Sequence, residues 1–346
     1  MSEQLITSIY EKLKNFNDPI SNKPLNSKNS DIDIICKDGH ANITLNINPE
    51  EESKYNELSV NLNNTLKDIR GLLSVNIVFT AEKYPNTQKE EKKRFQIQAK
   101  NIIAIASGKG GVGKSTFAVN FAVALKKLNN KVGILDADIY GPSVPRMMDI
   151  SKKPEINENN RLLPIEKYGI KCMSIGFLIG EDTPTIWRGP MVMKALEQMF
   201  NGVEWGELDY LIIDLPPGTG DAQITLAQSS KLSGSVIIST PQDIALIDAR
   251  KAINMFNRVN VPVLGIVENM SYFICTNCNE RHEIFSNGGV KKEANNLKIN
   301  FLGELAIDKN LRIHSDKGLP VCISSPESNI AKTYLQIAEK VDQNII

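Results

Sequence analysis

The sequence has no excess of charge of either sign, because 40 Lys and Arg residues balance 40 Asp and Glu residues among 346. A chain without net positive charge has no overall electrostatic attraction for nucleic acid or anionic lipid. We therefore expect neither a nucleic-acid partner nor a membrane partner. No apolar run reaches the roughly 18–20 residues of a transmembrane helix. The N-terminus also lacks the uninterrupted apolar stretch of a signal peptide.

Cysteine is scarce as well, with five residues in the whole chain. An odd number spread over a long sequence does not form a disulfide framework. The hydrophobic share of 41% is too high for a disordered chain. These features predict a reduced, soluble, cytoplasmic protein, and the length predicts two domains.

Residues 1–81 predict a small α+β domain. Apolar residues recur at helical spacing over residues 5–13 and 58–69, while residues 31–35 and 42–48 alternate as strands do. Asp38-Gly39 provides the turn of a hairpin, Gly71 ends the second helix, and Ser74–Thr80 forms a last strand. The expected order is helix, hairpin, helix, strand. Residues 82–100 carry a mixed charge run and predict a solvated linker.

Short apolar runs rich in Ile and Val dominate residues 101–346, and segments compatible with helices lie between them. The runs are IIAIAS, KVGILDAD, LDYLIIDL, GSVIIST and VPVLGIV. Near-continuous apolar strands that alternate with helices are typical of a parallel sheet buried on both faces. The sequence therefore predicts an α/β domain whose mainly parallel sheet is covered by helices on both faces.

A phosphate-binding pattern, GxxxxGK[ST], lies between the first of these strands and the next helix. Its glycines let backbone N–H groups turn towards phosphates, and the helix N-terminus adds partial positive charge. Lys114 is expected to contact the β and γ phosphates, and the Ser115 hydroxyl to contact Mg²⁺. We predict an ATP site formed by Gly108, Lys109, Gly110, Gly111, Val112, Gly113, Lys114, Ser115 and Thr116.

The loop contains a second lysine, Lys109, directly after its first glycine. This arrangement resembles the deviant P-loop class that includes the MinD, ParA and nitrogenase iron-protein ATPases. The resemblance implies a homodimer with nucleotide between two subunits, in which Lys109 reaches the nucleotide of the partner.

Carboxylates end two of the predicted strands. We expect Asp136 to belong to the water shell of Mg²⁺ and Asp138 to position the attacking water. Asp214 ends the strand LIID, a Walker B pattern, and is expected to hold Mg²⁺ through a water. Residues 216–220 follow as a rigid loop at the place of a γ-phosphate sensor. Ligands bind open α/β sheets at this edge.

Cys275 and Cys278 form a CxxC pair near the C-terminal part of the chain. A redox dithiol lacks its usual thioredoxin-like setting here. With His282 the pair offers at most three nearby zinc ligands, whereas a structural zinc site takes four. Two chains related by a two-fold axis would bring four thiolates together, the number that a 4Fe-4S cluster takes. A shared cluster, a shared zinc ion and purely structural thiols remain open at this point.

Several longer motifs together resemble the Mrp/ApbC family of iron–sulfur cluster carrier ATPases. They are GKGGVGKST, LDADIYGPSVP, WRGPMVMKALEQ, GELDYLIIDLPPGTGDAQITLAQ, STPQDIALIDARKAINMF and VPVLGIVENMSYFICTNC. The resemblance implies a homodimer that binds a labile 4Fe-4S cluster through Cys275 and Cys278 of each subunit. ATP hydrolysis would drive or gate its delivery to apo-proteins, with cluster-assembly scaffolds as further partners. By the same pattern Asn269 contacts adenine, with the Pro241-Gln242 turn nearby.

The chain departs from the family pattern at three positions. Thr276 occupies the usual proline position between the cysteines, and Asn279 replaces a common glycine. Ile20 follows Asp18-Pro19 where an acidic residue is usual. Both thiols and their spacing are kept, so we expect them to bind the cluster in a loop of different stiffness.

Two other functions compete with the carrier. A positioning ATPase of the MinD or ParA kind would share the P-loop and the dimer. The last predicted helix, residues 330–341, however, lacks the basic excess that membrane binding needs, and neither kind requires a CxxC pair. A scaffold that binds ATP and zinc without transfer is the second alternative.

Overall fold

The chain divides into two compact units, Met1–Glu90 and Glu91–Ile346. The computed structural model describes residues 2–20, 22–25, 32–37, 39–47, 52–69, 71–80, 97, 99–178 and 189–345. Most of the predicted linker, residues 82–96 and 98, lies outside the described residues, as do Asp38 of the predicted hairpin turn and the first two residues of the WRGP motif. Ala99 and Lys100 already belong to the first strand of the second unit.

The N-terminal unit has the predicted order of helix, hairpin, helix and strand. Its elements are α1 Ser2–Leu13, β1 Ile32–Lys37, β2 His40–Asn46, α2 Glu52–Leu66 and β3 Ser74–Thr80. β2 is the central strand, antiparallel to β1 and parallel to β3. Buried residues at helical spacing, such as Ile9, Leu13 and Leu62, form its core with Ile43 of β2. The second helix ends at Leu66, earlier than predicted, and Gly71 with φ 93° turns the chain towards β3.

The second unit begins with alternating strands and helices and ends in helices. Its strands are β4 Ala99–Ala106, β5 Val132–Asp136, β6 Ile165–Lys167, β7 Ile170–Ser174, β8 Leu208–Asp214, β9 Gly234–Ser239, β10 Val263–Glu268, β11 Phe273–Ile274, β12 Arg281–His282 and β13 Phe301–Glu304. Its helices are α3 Lys114–Lys127, α4 Val144–Met147, α5 Gly189–Asn201, α6 Asp221–Ser229, α7 Asp243–Arg258, α8 Gly289–Leu297, α9 Lys309–Asp316, α10 Val321–Ser324 and α11 Asn329–Asn344.

Among the described residues, eight of these strands form one sheet in the order β13-β10-β9-β4-β8-β5-β7-β6. All neighbouring pairs are parallel except β6 and β7, which form an antiparallel edge. Every residue of β5 and of β9 is buried, as expected where helices flank the sheet. The mainly parallel α/β fold predicted from the apolar runs is confirmed.

Two further features complete the description of the second unit. β11 and β12 pair as a short antiparallel hairpin outside the main sheet, and the CxxC pair lies in the loop between them. None of the helices in the described ranges combines the length and the apolar character needed to cross a bilayer.

Candidate nucleotide and metal site

The parallel strands bring the P-loop and the acidic residues to one edge of the sheet. β8 lies between β4 and β5, and its last residue, Asp214, is in register with Ile105 of β4 and Asp136 of β5. The P-loop leaves β4 at this edge and enters α3 at Lys114. Carboxyl ends of adjacent parallel strands therefore place two carboxylates beside the loop that is expected to hold phosphates.

Three glycines give the P-loop its shape. Gly111 and Gly113 have φ values of 80° and 83°, in the left-handed region that favours glycine. Gly108 has another reason to be glycine: a Cβ there would lie 2.2 Å from the backbone carbonyl of Asp248 in α7. The loop is thus fixed both by its own backbone conformation and by the helix packed against it.

Lys114 is buried at the centre of the site. Its Nζ lies 2.5 Å from Oδ1 of Asp214, 3.8 Å from Oδ2 of Asp138 and 3.3 Å from Oγ of Ser115. The other oxygen of Asp214, Oδ2, is buried without a hydrogen-bond partner among the described residues. The Asp214 carboxylate and the Ser115 hydroxyl both contact Lys114 Nζ, and they provide the hard oxygen donors that Mg²⁺ prefers. The residues present therefore fit a magnesium ion bound with nucleotide.

Asp136 is fully buried and organises the loop that follows β5. Its carboxylate accepts hydrogen bonds of 3.0–3.2 Å from the backbone N–H groups of Asp138, Ser143 and Val144 and from the Ser174 hydroxyl. Burial, followed by the nearby charge of Asp214, raises the pKa of Asp136 to about 7. Its described contacts thus hold the loop that carries Asp138, and its part in the water shell of Mg²⁺ stays a prediction.

Asp138 lies beside Lys114, and its side chain is 12% exposed. Burial raises the pKa of its carboxyl group, while the Lys114 ammonium opposes the rise. A carboxylate with a raised pKa near a phosphate site is suited to accept a proton from water. Lys109 is partly exposed and, within the part of the chain that the structure describes, has no ion-pair partner.

Asn269, which follows β10, contacts the P-loop itself. Its Nδ2 donates a 2.8 Å hydrogen bond to the backbone carbonyl of Val112, and a Cβ on Gly113 would lie 2.3 Å from the same atom. The predicted contact with adenine stays a prediction, and the contact in the structure is with the P-loop backbone.

The predicted sensor loop, residues 216–220, lies next to the start of the P-loop, because the Gly218 N–H donates to the Ser107 carbonyl over 3.0 Å.

Cys275 and Cys278 lie in the β11–β12 hairpin with His282 beside them. One ligand atom from each of the three residues lies within 4.8 Å of the other two. The Cys275 pKa is lowered, first by the backbone N–H of Cys278, then by that of Asn277 and by the Cys278 thiol. Cys278 is exposed and Cys275 partly so. Thiolate character and exposure together are what a transferable metal site needs.

The loop geometry accounts for one departure from the family pattern. Asn279 has φ 58°, a left-handed conformation that glycine adopts most readily and that asparagine tolerates. Its N–H donates to the Cys275 carbonyl over 2.9 Å, and the Cys275 N–H donates to the Glu280 carbonyl over 2.9 Å. Asparagine therefore preserves the turn that brings the two thiols together.

The remaining three cysteines, Cys36, Cys172 and Cys322, are buried. Burial raises the pKa values of Cys172 and Cys322 to about 12. These thiols are neutral at physiological pH and are poor metal ligands.

Sequence reasoning missed two groups of residues that support the site. Ser174 at the end of β7 donates to Asp136 over 3.1 Å, and no local pattern marks it. Arg281 donates to Glu304 of β13 over 3.1 Å and stacks on Tyr272 at 3.8 Å from the ring centroid. The charge of Arg281 next to the CxxC pair was visible in the sequence, but its partner is brought close only by the fold.

The parallel sheet, the P-loop at its edge and the buried lysine beside a free carboxylate oxygen define a nucleotide-binding P-loop protein of the α/β class. Residues 98–342 match a family model described as ParA: NUBPL iron-transfer P-loop NTPase. The chain belongs to this family, which confirms the resemblance to the cluster carrier ATPases.

Relatives of this chain include proteins with iron–sulfur in their names. It is 55% identical over 243 residues to the iron-sulfur protein required for NADH dehydrogenase, mitochondrial, of Arabidopsis thaliana, with 70% of this chain and 78% of the relative covered. It is 53% identical over 246 residues to the iron-sulfur cluster carrier protein of Aquifex aeolicus, with 70% and 68% covered.

A solved structure resembles this chain as well. It is a nucleotide-binding protein from Archaeoglobus fulgidus in complex with ADP, with cobalt found. It is 42% identical with a TM-score of 0.59, and the match covers 67% of this chain and 90% of that one.

Proposed function

We propose that this protein is an ATP-dependent carrier that binds a labile 4Fe-4S cluster between two identical subunits and transfers it to apo-proteins. The observation that carries the proposal is a pair of accessible thiols, Cys275 and Cys278, with ligand atoms within 4.8 Å, on a hairpin of a P-loop ATPase unit. The name of the relative from Aquifex aeolicus, iron-sulfur cluster carrier protein, supports the same function.

The number of thiolates explains the need for two subunits. A 4Fe-4S cluster takes four cysteine ligands, and each chain offers two at this hairpin. A two-fold axis through the cluster provides four equivalent ligands without any further motif. The cluster is cargo in this proposal, so its ligands have to be accessible, and Cys275 and Cys278 meet this requirement while the buried Cys36, Cys172 and Cys322 do not.

The nucleotide site provides the means to regulate transfer. Lys114 would leave Asp214 to bind the β and γ phosphates, while Ser115 and Asp214 would hold Mg²⁺, with Asp136 contributing to its water shell. Asp138 would position and deprotonate the attacking water, and Lys109 of each subunit would reach the nucleotide of the other. Hydrolysis would change the dimer interface and so gate release of the cluster.

The proposed partners are apo iron–sulfur proteins and the scaffolds on which clusters are assembled. We assign no nucleic-acid or membrane partner, and a reducing compartment such as the cytoplasm suits free thiols. The family match begins at residue 98 and so does not include the N-terminal unit. We assign that unit no role in the transfer.

The two alternatives are distinguished by the hairpin. A positioning ATPase needs no accessible thiol pair, and a zinc scaffold would bind its metal without giving it up. The exposure of Cys278 and the partial exposure of Cys275 favour a site from which metal can be passed to a partner.

Anaerobic reconstitution with iron and sulfide tests the carrier function. The wild-type protein is expected to bind one 4Fe-4S cluster per dimer, measured by iron, sulfide and visible absorption. Cys275→Ala and Cys278→Ala each leave only two thiolates in the two-fold site, so each variant should lose nearly all of its cluster and its transfer to an apo-acceptor. ATP binding should persist in both, because the P-loop is formed by other segments.

The matched controls are Cys36→Ala, Cys172→Ala and Cys322→Ala, which remove buried thiols and should retain the cluster. One cluster per monomer, or full iron content in Cys275→Ala, would contradict the bridging site. A protein that holds zinc and refuses iron under reducing conditions would instead be the scaffold.

A further inference from the structure

We propose that His282 is a third metal ligand, and that each chain alone binds one thiophilic divalent cation, such as Zn²⁺ or Fe²⁺, through Cys275, Cys278 and His282. This site differs from the bridging cluster because it belongs to one subunit and contains a single ion. It deepens the proposed function, since the same two thiols would serve both states.

The hairpin register places His282 next to the thiols. His282 in β12 pairs with Phe273 in β11, two residues before Cys275. The Cys275 N–H donates to the Glu280 carbonyl over 2.9 Å. The loop that carries the two thiols therefore begins directly after the paired strands. One ligand atom of each of the three side chains consequently lies within 4.8 Å of the others. Sulfur and imidazole donors bind a tetrahedral zinc ion at about 2.3 Å and 2.0–2.1 Å, so a small closure of these groups completes a site.

The neighbouring Arg281 fixes the side of the hairpin on which His282 lies. Arg281 donates to both carboxylate oxygens of Glu304 in β13, at 3.1 Å and 3.4 Å, and stacks on the Tyr272 ring. Successive side chains of a strand point to opposite faces, so anchoring Arg281 to the main sheet presents His282 on the other face.

The acidic residue beside the imidazole suits a ligand role too. The Glu280 carboxylate lies 4.0 Å from Nε2 of His282, within a small movement of hydrogen-bond distance. Histidine ligands commonly donate their second N–H to a carboxylate, which fixes the ring and increases its basicity. The remaining nitrogen, Nδ1, would then face the metal.

Two thiolates and one imidazole leave the fourth position of a tetrahedral ion open. Three protein ligands with a water in the fourth position are typical of catalytic zinc sites, whereas structural sites are closed by four protein ligands. A chain outside the dimer would thus keep one ion, and that ion would have to leave before the thiolates could bind a shared cluster. His282 accordingly determines which metal state the single chain can hold.

Titration of the metal-free, full-length protein with Co²⁺ under anaerobic conditions tests this proposal. Tetrahedral Co²⁺ bound to thiolate gives visible d–d absorption and a sulfur-to-cobalt charge-transfer band. The wild-type protein is expected to bind one Co²⁺ per chain with both signals. Loss of an outer-shell partner costs roughly 10–100-fold in affinity, so loss of a direct ligand in His282→Ala should cost at least this much.

Two further variants make the result specific. His40→Ala removes another exposed histidine, in the N-terminal unit, and should leave Co²⁺ binding unchanged. His282→Cys returns a third ligand, so it should restore tight tetrahedral binding with a stronger charge-transfer band. Equal affinity and spectra in wild type and His282→Ala would overturn the proposal. So would one Co²⁺ per two chains, because that stoichiometry describes an ion shared by four thiolates.

Cluster reconstitution of the same variants separates this inference from the carrier function. His282→Ala keeps all four thiolates of a dimer and should still bind one 4Fe-4S cluster. If it does while Co²⁺ binding is unaffected by the mutation, the third ligand is wrong and the carrier function stands. If the wild type binds Co²⁺ through His282 but never binds a cluster, the third ligand stands and the carrier function fails.

Discussion

At the scale of single residues, the buried ion pair of Lys114 and Asp214 is the central feature of the nucleotide site. The side chains are 6% and 0% exposed and 2.5 Å apart. A buried carboxylate costs a great deal unless it is paired, so the lysine is required by the fold before nucleotide arrives. In the proposed mechanism, ATP binding would replace this contact by one between Lys114 and the phosphates.

Lys114→Ala should therefore affect both stability and catalysis. Removing one partner of a buried pair costs about 3–5 kcal/mol in the free energy of unfolding. Loss of a charge that stabilises the transition state should lower hydrolysis by about 10²–10³-fold or more. Lys114→Arg keeps a cation opposite Asp214 and should be closer to wild type in stability. Its fork does not match the lysine position on the phosphates, so this variant should still bind ATP weakly and lose hydrolysis. Chemical denaturation and a phosphate-release assay measure the two effects.

Asp138→Asn is the matched comparison within the same site. It leaves the P-loop intact, so ATP should bind normally while hydrolysis falls by about 10²–10⁴-fold, the usual contribution of a general base. Equal loss of ATP binding in Asp138→Asn and Lys114→Arg would remove the catalytic assignment of Asp138.

Asp136 predicts a pH dependence of the nucleotide-free protein. Its pKa rises from 3.8 to about 7 through burial and the charge of Asp214. Between these values the folded protein keeps a proton that the unfolded chain has released, so the free energy of unfolding falls as the pH rises through this window. The asparagine side chain of Asp136→Asn does not titrate. Between about pH 5 and about pH 8 the melting temperature of this variant should therefore fall less than that of the wild type. Calorimetry in EDTA measures the difference, and parallel profiles would contradict it.

At the scale of elements, α7 packs against the P-loop, so two glycines of this loop should differ in how well they tolerate substitution by alanine. A Cβ on Gly108 would lie 2.2 Å from the Asp248 backbone, whereas the nearest atom to one on Gly110 is Pro217 Cγ at 4.0 Å. Gly108→Ala has to displace backbone and should cost about 1–3 kcal/mol in stability, with weaker ATP binding.

Gly110→Ala serves as the control. Its added Cβ makes only an ordinary van der Waals contact, so we expect a stability close to that of the wild type. Thermal unfolding and ATP titration of both variants test the difference. If the two proteins were equally stable, α7 would not be what fixes the loop.

At the scale of the whole molecule, Lys109 predicts that the active sites are shared between subunits. Lys109→Ala alone should lose hydrolysis while each chain still binds ATP. In a heterodimer with Lys114→Arg, one site keeps both lysines only if Lys109 acts on the partner's nucleotide.

Equal mixing of the two inactive variants should then recover about a quarter of wild-type activity, because random pairing gives one complete site in half of the dimers. Each variant alone is the control. No recovery after confirmed subunit exchange would place Lys109 in the site of its own chain.

Much of the second unit could be predicted because its signals are local. The continuous apolar runs of β4, β5 and β8 need no partner to be recognised, and the P-loop pattern fixes the turn between β4 and α3. The N-terminal unit was predictable in its order of elements but less so in its boundaries. α2 ends at Leu66, before Gly71, and a turn follows in which the Ile69 N–H donates to the Leu66 carbonyl over 3.2 Å.

The sequence by itself determined the class of fold, the P-loop, the carboxylates Asp136 and Asp214 at strand ends, and the thiol pair with its spacing. Each of these depends on residues close together in the chain, and their chemistry is local. Only the tertiary structure decided that Lys114 pairs with Asp214, that Asn269 holds the P-loop and that Arg281 is anchored to Glu304. These contacts join segments far apart in sequence, and the order of strands in the sheet, which no local pattern encodes, is what brings them together.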